Sequence, residues 1–138
     1  MEFNIKYINI YFPFNKFSFK VSGNVNGRDI VYEDLRQICI HKASADDWWA
    51  YALSFGKLCL EQGLDIKKCS NDVMDMVGIK KDDIELCVDN SFLDKNNQTY
   101  SDNQLLRVER ELFIKKGVQA WPTLIINNVT FRVSFFFL

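Results

Sequence analysis

The sequence contains few of the residues on which several classes of function depend. It has one histidine, His41, so a histidine-based metal cage or a relay of imidazoles is implausible. Its 17 Lys and Arg are offset by 18 Asp and Glu, which leaves a net charge of -1 and no basic field for nucleic acid. Two prolines and six glycines exclude a proline-rich linker and a collagen-like repeat. The composition therefore indicates neither a nucleic-acid-binding nor a fibrous protein.

Long apolar stretches are missing as well. No segment reaches the roughly 18 apolar residues that are needed to span a bilayer, and residues 133–138 (VSFFFL) are far too short. In the first 20 residues, charges and asparagines interrupt every apolar run and no small-residue cleavage site follows, which is unlike a secretory signal peptide. We therefore expect no membrane contact by the 138-residue chain itself. If the protein is secretory, we expect this chain to be a fragment of it.

What the sequence does contain is enough apolar material for one packed domain. Its length of 138 residues suits a single core, and 48% hydrophobic with 14% aromatic residues argues against disorder. Residues 3–19 are rich in aromatic residues that favour β-structure and predict a strand around Tyr7–Phe12. Residues 22–27 (SGNVNG) then predict a turn-rich connector.

Apolar residues at helical spacing predict a series of helices in the middle of the chain. The first begins near Asp29 and the second near Ser44. The buried face of the second helix is predicted to carry Trp48, Ala52, Phe55 and Cys59. Ser70 is predicted to cap a third, short helix that ends at Gly78. Residues 82–87 predict one or two further helical turns.

The last third of the chain predicts a helix followed by two strands. Ser101 and Gln104 have the spacing of a capping box, and Gly117 is expected to end the helix that begins there. A proline-led apolar strand, a tight turn at residues 127–128 and a second strand at residues 129–132 follow. This order of elements is typical of the C-terminal half of a thioredoxin-like fold.

The proline that opens the first of these strands has a known place in thioredoxin-like folds. It is usually cis there, and the backbone beside it can pair with an extended peptide. We therefore expect the Trp121–Pro122 peptide bond to be cis, and Trp121, Pro122 and Thr123 to be candidate peptide contacts. The alternative is that Pro122 only fixes the entry to the strand.

The cysteines do not form a redox motif or a zinc motif. The four are Cys39, Cys59, Cys69 and Cys87. Neighbouring cysteines are at least 10 residues apart, so no C-x-x-C pair exists, and zinc ribbons and dithiol redox centres are both excluded. An even number in a short chain fits two disulfides in an oxidising compartment, with three possible connectivities. Four buried free thiols are the alternative.

Several motifs occur in a fixed order along the chain. They are the run from Gly27-Arg28-Asp29-Ile30-Val31 to Cys39, Trp48-Trp49-Ala50-Tyr51 with Cys59, Cys69, Cys87, Pro122-Thr123-Leu124, Asn127-Asn128 and Phe131-Arg132. This ordered set resembles the central luminal region of plant-type vacuolar sorting receptors. The resemblance covers residues 26–132, so we expect residues 1–25 to be a poorly matched N-terminal segment and residues 133–138 an unmatched tail.

The resemblance implies a fold, a role and a location. The implied fold is α/β and thioredoxin-like, with a helical insert followed by a helix and a β-hairpin, and an N-terminal strand that is expected to be incomplete. The implied role is that of a non-catalytic luminal module of a sorting receptor, without a cofactor or a metal. Such a module contributes to the recognition of soluble cargo for transport from the Golgi to the vacuole.

The resemblance also implies partners. They are soluble vacuolar cargo proteins or sorting peptides, together with neighbouring protease-associated and epidermal-growth-factor-like domains, and they do not include nucleic acid. The location is the lumen of the Golgi and prevacuolar compartment, within a type I membrane receptor. The alternative function is a luminal thioredoxin-like oxidoreductase or disulfide isomerase whose redox motif is missing from this fragment.

A secretory location raises the question of how the cysteines pair. Cys59 closes one predicted helix and Cys69 opens the next. The segment between them is short enough to return as an αα-hairpin, so we predict that Cys59 bonds Cys69. Cys39 is then left to pair with Cys87.

Two asparagines stand in sequons for N-linked glycosylation, Asn97-Gln98-Thr99 and Asn128-Val129-Thr130. These sites are used only where they are exposed in a secretory lumen. Asn97 is the better predicted acceptor, because Asn128 lies in a predicted tight turn.

Overall fold

The computed structural model describes residues 8–11, 27–60, 65–118, 123–126 and 129–132. The described residues form five α-helices and three β-strands and divide into two compact units. The helical unit comprises the described residues between 27 and 107. The sheet unit comprises residues 8–11 and the described residues from 108 onward.

The helical unit contains most of the helices. Its elements are α1 (Gly27–Ala43), α2 (Ala45–Phe55), a π-helical turn (Gly56–Leu60), α3 (Ile66–Val77), α4 (Lys81–Ser91), a 3-10 turn (Lys95–Asn97) and the start of α5 (Gln104–Lys115). Helix α1 packs against α2, α3 and α4. The most deeply buried apolar side chains of this core are Leu35, Ile40, Tyr51, Val73, Met74 and Val88. Together with the buried residues Cys39, Phe55, Cys69 and Ile84 they place a pair at i and i+4 on each of the four helices, which is why the helices pack around one core.

Two glycines end helices where the sequence predicts it. Gly78, with φ of 84°, follows α3, and Gly117, with φ of 63°, follows α5. At the first, the amides of Gly78 and Ile79 donate to the carbonyls of Asp75 and Met74 at 3.2 and 2.9 Å. Glycine adopts this left-handed conformation without the steric cost of a Cβ, so both predicted stops are confirmed.

The start of α3 differs from the prediction. Asp65 caps this helix, and its carboxylate accepts from the Lys68 amide at 2.7 Å. Ser70 lies inside α3, is fully buried, and has its Oγ 2.7 Å from the Tyr51 hydroxyl oxygen. Because a buried side-chain partner satisfies the Ser70 hydroxyl, the usual preference of serine for a cap does not decide its position.

Helix α2 starts where the sequence predicts, and its predicted buried face is confirmed at Phe55 and Cys59. Ser44 caps it by accepting from the Asp47 amide at 3.2 Å. Phe55 is buried as predicted, but the other deeply buried residue of α2 is Tyr51, whereas Trp48 is only partly buried. The Tyr51 and Phe55 rings stack with centroids 5.6 Å apart, so the core stripe of α2 runs through this pair.

The predicted capping box at Ser101 is wrong. Asn103 caps α5, because its Oδ1 accepts from the amides of Leu105 and Leu106 at 3.0 and 3.2 Å. Its Nδ2 donates to Ser91 Oγ at 2.7 Å, which ties the cap to the end of α4. The Ser101 hydroxyl instead accepts from a loop amide. Asn103 is almost fully buried, so its contacts across the fold select the cap.

The sheet unit contains three antiparallel strands in the order β1-β2-β3. They are β1 (Ile8–Tyr11), β2 (Thr123–Ile126) and β3 (Val129–Arg132). Strand β1 lies within the region that the sequence predicted as a strand. In the register, Ile8 pairs with Ile126, and Ile126 also pairs with Val129. Strand β2 is therefore the central strand, between β1 and β3.

Candidate functional site

The predicted peptide-contact residues precede or open the central strand of the sheet unit. Trp121 and Pro122, with the peptide bond between them, lie outside the described residues. Thr123 begins β2, and its Cα pairs with Tyr11 on one side and with Arg132 on the other. Strands β1 and β3 therefore both pair with β2 at Thr123. An added peptide strand would find no free strand edge at this residue. If a peptide pairs with the backbone of this strand, we therefore expect it to do so at the residues that precede Thr123.

All four cysteines of the chain are in disulfides. Cys39 of α1 bonds Cys87 of α4, with the Sγ atoms 2.01 Å apart. Cys59, in the turn after α2, bonds Cys69 of α3 at 2.06 Å. The structure thus has the two pairs that were expected from the sequence. Thiol chemistry needs an accessible thiolate, and no cysteine of the chain is free to supply one in this state.

A buried polar cluster lies between α1, α2 and α3. The Tyr51 hydroxyl donates to Glu33 Oε1 at 2.7 Å and lies 2.7 Å from Ser70 Oγ. A carboxylate can only accept, so with Glu33 ionised the Tyr51 proton points toward Glu33. The Ser70 hydroxyl must then donate to Tyr51. The three side chains form one directed chain of hydrogen bonds from α3 through α2 to α1.

One buried cation is shared by two carboxylates at the edge of this cluster. Arg36 Nη1 lies 3.4 Å from Glu33 Oε2, and Arg36 Nε donates to Glu85 Oε1 of α4 at 3.1 Å. Gln37 Nε2 adds a donor to Glu33 Oε1 at 3.1 Å. Arg36 and Glu33 are both almost fully buried, whereas the side chain of Glu85 is 41% exposed. We call Glu33, Arg36, Gln37, Tyr51 and Ser70 the Glu33 cluster.

Burial changes the acidity of these groups. It raises the pKa of Glu33, although the hydrogen bonds from Tyr51 and Gln37 and the charge of Arg36 act in the opposite direction. Burial and the Glu33 charge also raise the pKa of the Tyr51 hydroxyl, which therefore stays protonated. Burial, with the Glu33 charge as the second cause, raises the pKa of Asp34 to about 7. Tyr51 is thus a hydrogen-bond donor here and not a base.

The shift at Asp34 predicts a stability change with pH. A carboxyl whose folded-state pKa is raised stabilises the fold below its unfolded pKa, and this contribution is lost as the pH rises from about 4 through about 7. A pKa shift of this size corresponds to a change of about 4 kcal/mol in the free energy of unfolding. Solvent screening at the partly exposed Asp34 reduces this change to about 1–2 kcal/mol.

Asp34→Asn is therefore expected to raise the free energy of unfolding at pH 7.5 by about 1–2 kcal/mol and to change it little at pH 4. Urea denaturation of both proteins at several pH values measures the difference, and Asp29→Asn on the same helix serves as control. A stabilisation that does not depend on pH would contradict the assignment to Asp34 ionisation.

The Glu33 cluster joins helices and presents no accessible reactive group. Its carboxylate, hydroxyl and phenol side chains are buried, so a substrate in solution cannot reach them. In the part of the chain that the structure describes, no three side chains of the His, Cys, Asp or Glu type are grouped to hold a metal ion. Nor does any helix in those described ranges combine the length and apolarity that crossing a bilayer requires.

The Glu33 cluster was not among the sites predicted from the sequence. Glu33 and Arg36 stand at i and i+3, a spacing that is usually a solvated pair on a helix surface, and Ser70 was assigned to a cap. One available signal was the position of Arg36 three residues before Cys39, on the side of α1 that a disulfide was expected to bury. A second was the spacing of four residues between Tyr51 and Phe55.

The structure describes every residue of the Asn97 sequon but not Asn128 of the second sequon. Asn97 ends the 3-10 turn of the helical unit and is exposed, as is Thr99. Asn128 lies outside the described residues, and Thr130 of its sequon is in β3, where it pairs with Ile125. Only the Asn97 sequon can therefore be assessed from side-chain exposure.

Comparison with known proteins gives a consistent set of similarities. The family model of the vacuolar sorting receptor thioredoxin-like domain matches residues 15–135. Vacuolar-sorting receptor 6 of Arabidopsis thaliana and vacuolar-sorting receptor 1 of Pisum sativum are each 32% identical to the chain over an alignment of 117 residues, and each alignment covers 78% of the chain. Vacuolar-sorting receptor 5 of Arabidopsis thaliana is 29% identical over 114 residues. The chain spans 18% of the length of each of these curated relatives.

Proposed function

The chain belongs to the family of the vacuolar sorting receptor thioredoxin-like domain, and we propose that it serves as a non-catalytic luminal module of such a receptor. In this role it contributes to the recognition of soluble cargo for transport from the Golgi to the vacuole. The observation that carries the proposal is the family match over residues 15–135, together with the identity to receptors in two plants. The chain spans 18% of the length of those receptors, so their transport function is extended to it only within this proposal.

The state of the cysteines supports a role without catalysis. A thioredoxin-like oxidoreductase or disulfide isomerase needs a reactive thiolate beside a second cysteine. Here the four cysteines tie helices together as Cys39–Cys87 and Cys59–Cys69. An insulin-reduction assay separates the two functions, because turnover by the chain would establish the enzyme and contradict the receptor module.

The proposed location is the lumen of the secretory pathway, in the Golgi and prevacuolar compartment, as part of a type I membrane receptor. Two disulfides in a short chain fit an oxidising compartment of this kind. The proposed partners are soluble vacuolar cargo or its sorting peptides and the adjoining protease-associated and epidermal-growth-factor-like domains. Neither nucleic acid nor a cofactor has a part in the proposal.

The proposed contact surface is the start of the predicted proline-led strand, at Trp121 and Pro122. An α/β thioredoxin-like arrangement with a cis bond before Pro122 would leave the backbone there free to pair with an extended peptide. One short strand and one aromatic side chain bury little area, so this module alone should bind weakly. A neighbouring domain that contacts the same cargo raises the affinity through effective concentration.

Titration of a vacuolar-sorting peptide tests this surface. We expect weak binding to the 138-residue chain and binding at least about 100-fold tighter when the chain is joined to a receptor's protease-associated domain. In the joined protein, Trp121→Ala should weaken binding by roughly tenfold. Tyr100→Ala is the matched control, because Tyr100 is an aromatic side chain in the helical unit with 87% exposure. Equal losses in the two variants, or none in Trp121→Ala, would contradict the proposed surface.

A further inference from the structure

The loop between α4 and α5 is closed at its base by hydrogen bonds. We call residues 93–102 the Asn97 loop. The Leu93 amide donates to the Asp102 carbonyl at 3.0 Å, and the Asp94 amide donates to Ser101 Oγ at 2.7 Å. These two contacts bring the ends of the loop together.

Hydrogen bonds also fix the backbone around Asn97. Asp94 Oδ1 accepts from the amides of Asn96 and Asn97 at 3.0 and 3.3 Å, which caps the 3-10 turn. On the other side, the Tyr100 amide donates to the Asn97 carbonyl at 3.1 Å. The backbone of Asn97 is thus held from both directions while its side chain is exposed. A group attached to this side chain would extend into solvent without breaking the turn.

The middle residue of the sequon is anchored to the body of the helical unit. Gln98 Oε1 accepts from the Tyr32 hydroxyl of α1, and Gln98 Nε2 donates to Asp89 Oδ1 of α4 at 2.9 Å. Gln98 is partly buried, whereas Asn97 and Thr99 on either side of it are exposed. Anchoring Gln98 in this way therefore leaves Asn97 and Thr99, the two residues that N-linked glycosylation requires, exposed to solvent.

We propose that Asn97 carries an N-linked glycan. The proposal rests on the luminal location given under the proposed function. The co-reactant is an oligosaccharide linked to a lipid pyrophosphate, as the glycosylation machinery of the secretory lumen supplies it. A bond forms between Asn97 Nδ2 and the anomeric carbon of the first sugar, and the bond from that carbon to the pyrophosphate oxygen breaks. Nδ2 gives up one proton, and the lipid pyrophosphate is the leaving group.

A glycan at this site has a consequence for the surface around it. Tyr100 follows Asn97 by three residues and is 87% exposed, and Leu93 at the base of the same loop is 59% exposed. A bulky hydrophilic group at Asn97 shields these apolar side chains and keeps the Asn97 loop in solvent. Neighbouring receptor domains and cargo then contact other faces of the chain.

The experiment directs the 138-residue chain into the secretory lumen of plant or yeast cells with a cleavable signal peptide from another protein. Gel mobility before and after peptide N-glycosidase treatment is read on whole-cell extracts, so a variant that folds poorly is still scored. Asn97→Gln and Thr99→Ala are expected to abolish the glycosidase-sensitive shift. Thr99→Ser keeps the hydroxyl and should retain the shift, and Asn128→Gln should leave it unchanged.

Loss of the shift in Asn128→Gln with retention in Asn97→Gln would overturn the assignment, as would an unshifted parent chain. Because the added signal peptide enforces entry into the lumen, these outcomes test the site independently of the receptor role. That role fails separately if the protein in its own cells is found outside the secretory pathway. A shift lost in Asn97→Gln and retained in Thr99→Ser supports the proposal.

Discussion

Replacing Cys39 and Cys87 together by serine is expected to lower the free energy of unfolding by about 4 kcal/mol. This disulfide joins α1 to α4 across 48 residues of sequence, so its loss frees a long segment of the unfolded chain. Cys39 is also almost fully buried, and the serine hydroxyl that replaces its sulfur needs a hydrogen-bond partner there. Urea denaturation followed by circular dichroism measures the loss.

The matched control is the double replacement of Cys59 and Cys69 by serine. That disulfide spans only 10 residues, and the same chain-entropy relation gives a loss of about 3 kcal/mol. Cys59 and Cys69 are both buried, whereas Cys87 of the other disulfide is only partly buried. Burial alone would therefore favour the larger loss in the Cys59 and Cys69 variant, and loop length favours the larger loss in the Cys39 and Cys87 variant. An equal or larger loss in the Cys59 and Cys69 variant would mean that loop length does not determine which disulfide stabilises the fold more.

The features that the sequence predicts well are those decided by local chemistry. Gly78 and Gly117 end helices because a left-handed residue is needed at each helix end, and glycine adopts it most readily. Helix α2 begins near Ser44, as predicted, because the hydroxyl of this residue reaches an amide three residues along. The pairing of Cys59 with Cys69 follows from their closeness in sequence. Cys39 and Cys87 are then the two cysteines that remain to form the second pair.

The features that the sequence analysis missed depend on contacts between elements. Ser70 and Ser101 both have the chemistry of helix caps, yet their hydroxyl groups contact partners elsewhere in the fold. Asn103 becomes the cap because Ser91, twelve residues earlier, accepts from its amide group. The Glu33 cluster draws its members from four helices if Glu85 is included, and no local spacing reveals such a set. For the proposed contact at Trp121 and Pro122, the sequence remains the source of the prediction.

Arg36→Met is expected to lower the free energy of unfolding by about 3 kcal/mol at pH 7.5, because it removes the cation beside a buried carboxylate. Glu33 would keep its donors Tyr51 and Gln37 but lose the charge of Arg36 at 3.4 Å. The partner on α4, Glu85, is 41% exposed and can be solvated by water, so most of the cost arises at Glu33. Methionine fills much of the volume of the arginine stem, which limits the contribution of a cavity.

The pH dependence of this loss separates charge from packing. The pKa of Glu33 is already raised by burial, and removing the Arg36 charge raises it further. A raised folded-state pKa contributes stability below the unfolded pKa of about 4 that is lost as the pH rises. The deficit of Arg36→Met should therefore shrink to about 1 kcal/mol at pH 4.5, where protonation removes the unpaired charge. A deficit of the same size at both pH values would attribute the effect to packing.

A second variant tests whether the unpaired charge is the cause. In Glu33→Gln, the amide oxygen can still accept from Tyr51, and Arg36 keeps Glu85 at 3.1 Å, so the change at pH 7.5 should be within about 1 kcal/mol. Combining it with Arg36→Met should recover most of the 3 kcal/mol, because no buried charge then lacks a partner. If the losses of the two single variants simply add, Glu33 and Arg36 are not coupled. The stability of the helical unit would then depend on the hydrogen bonds from Ser70 through Tyr51 without the ion pair.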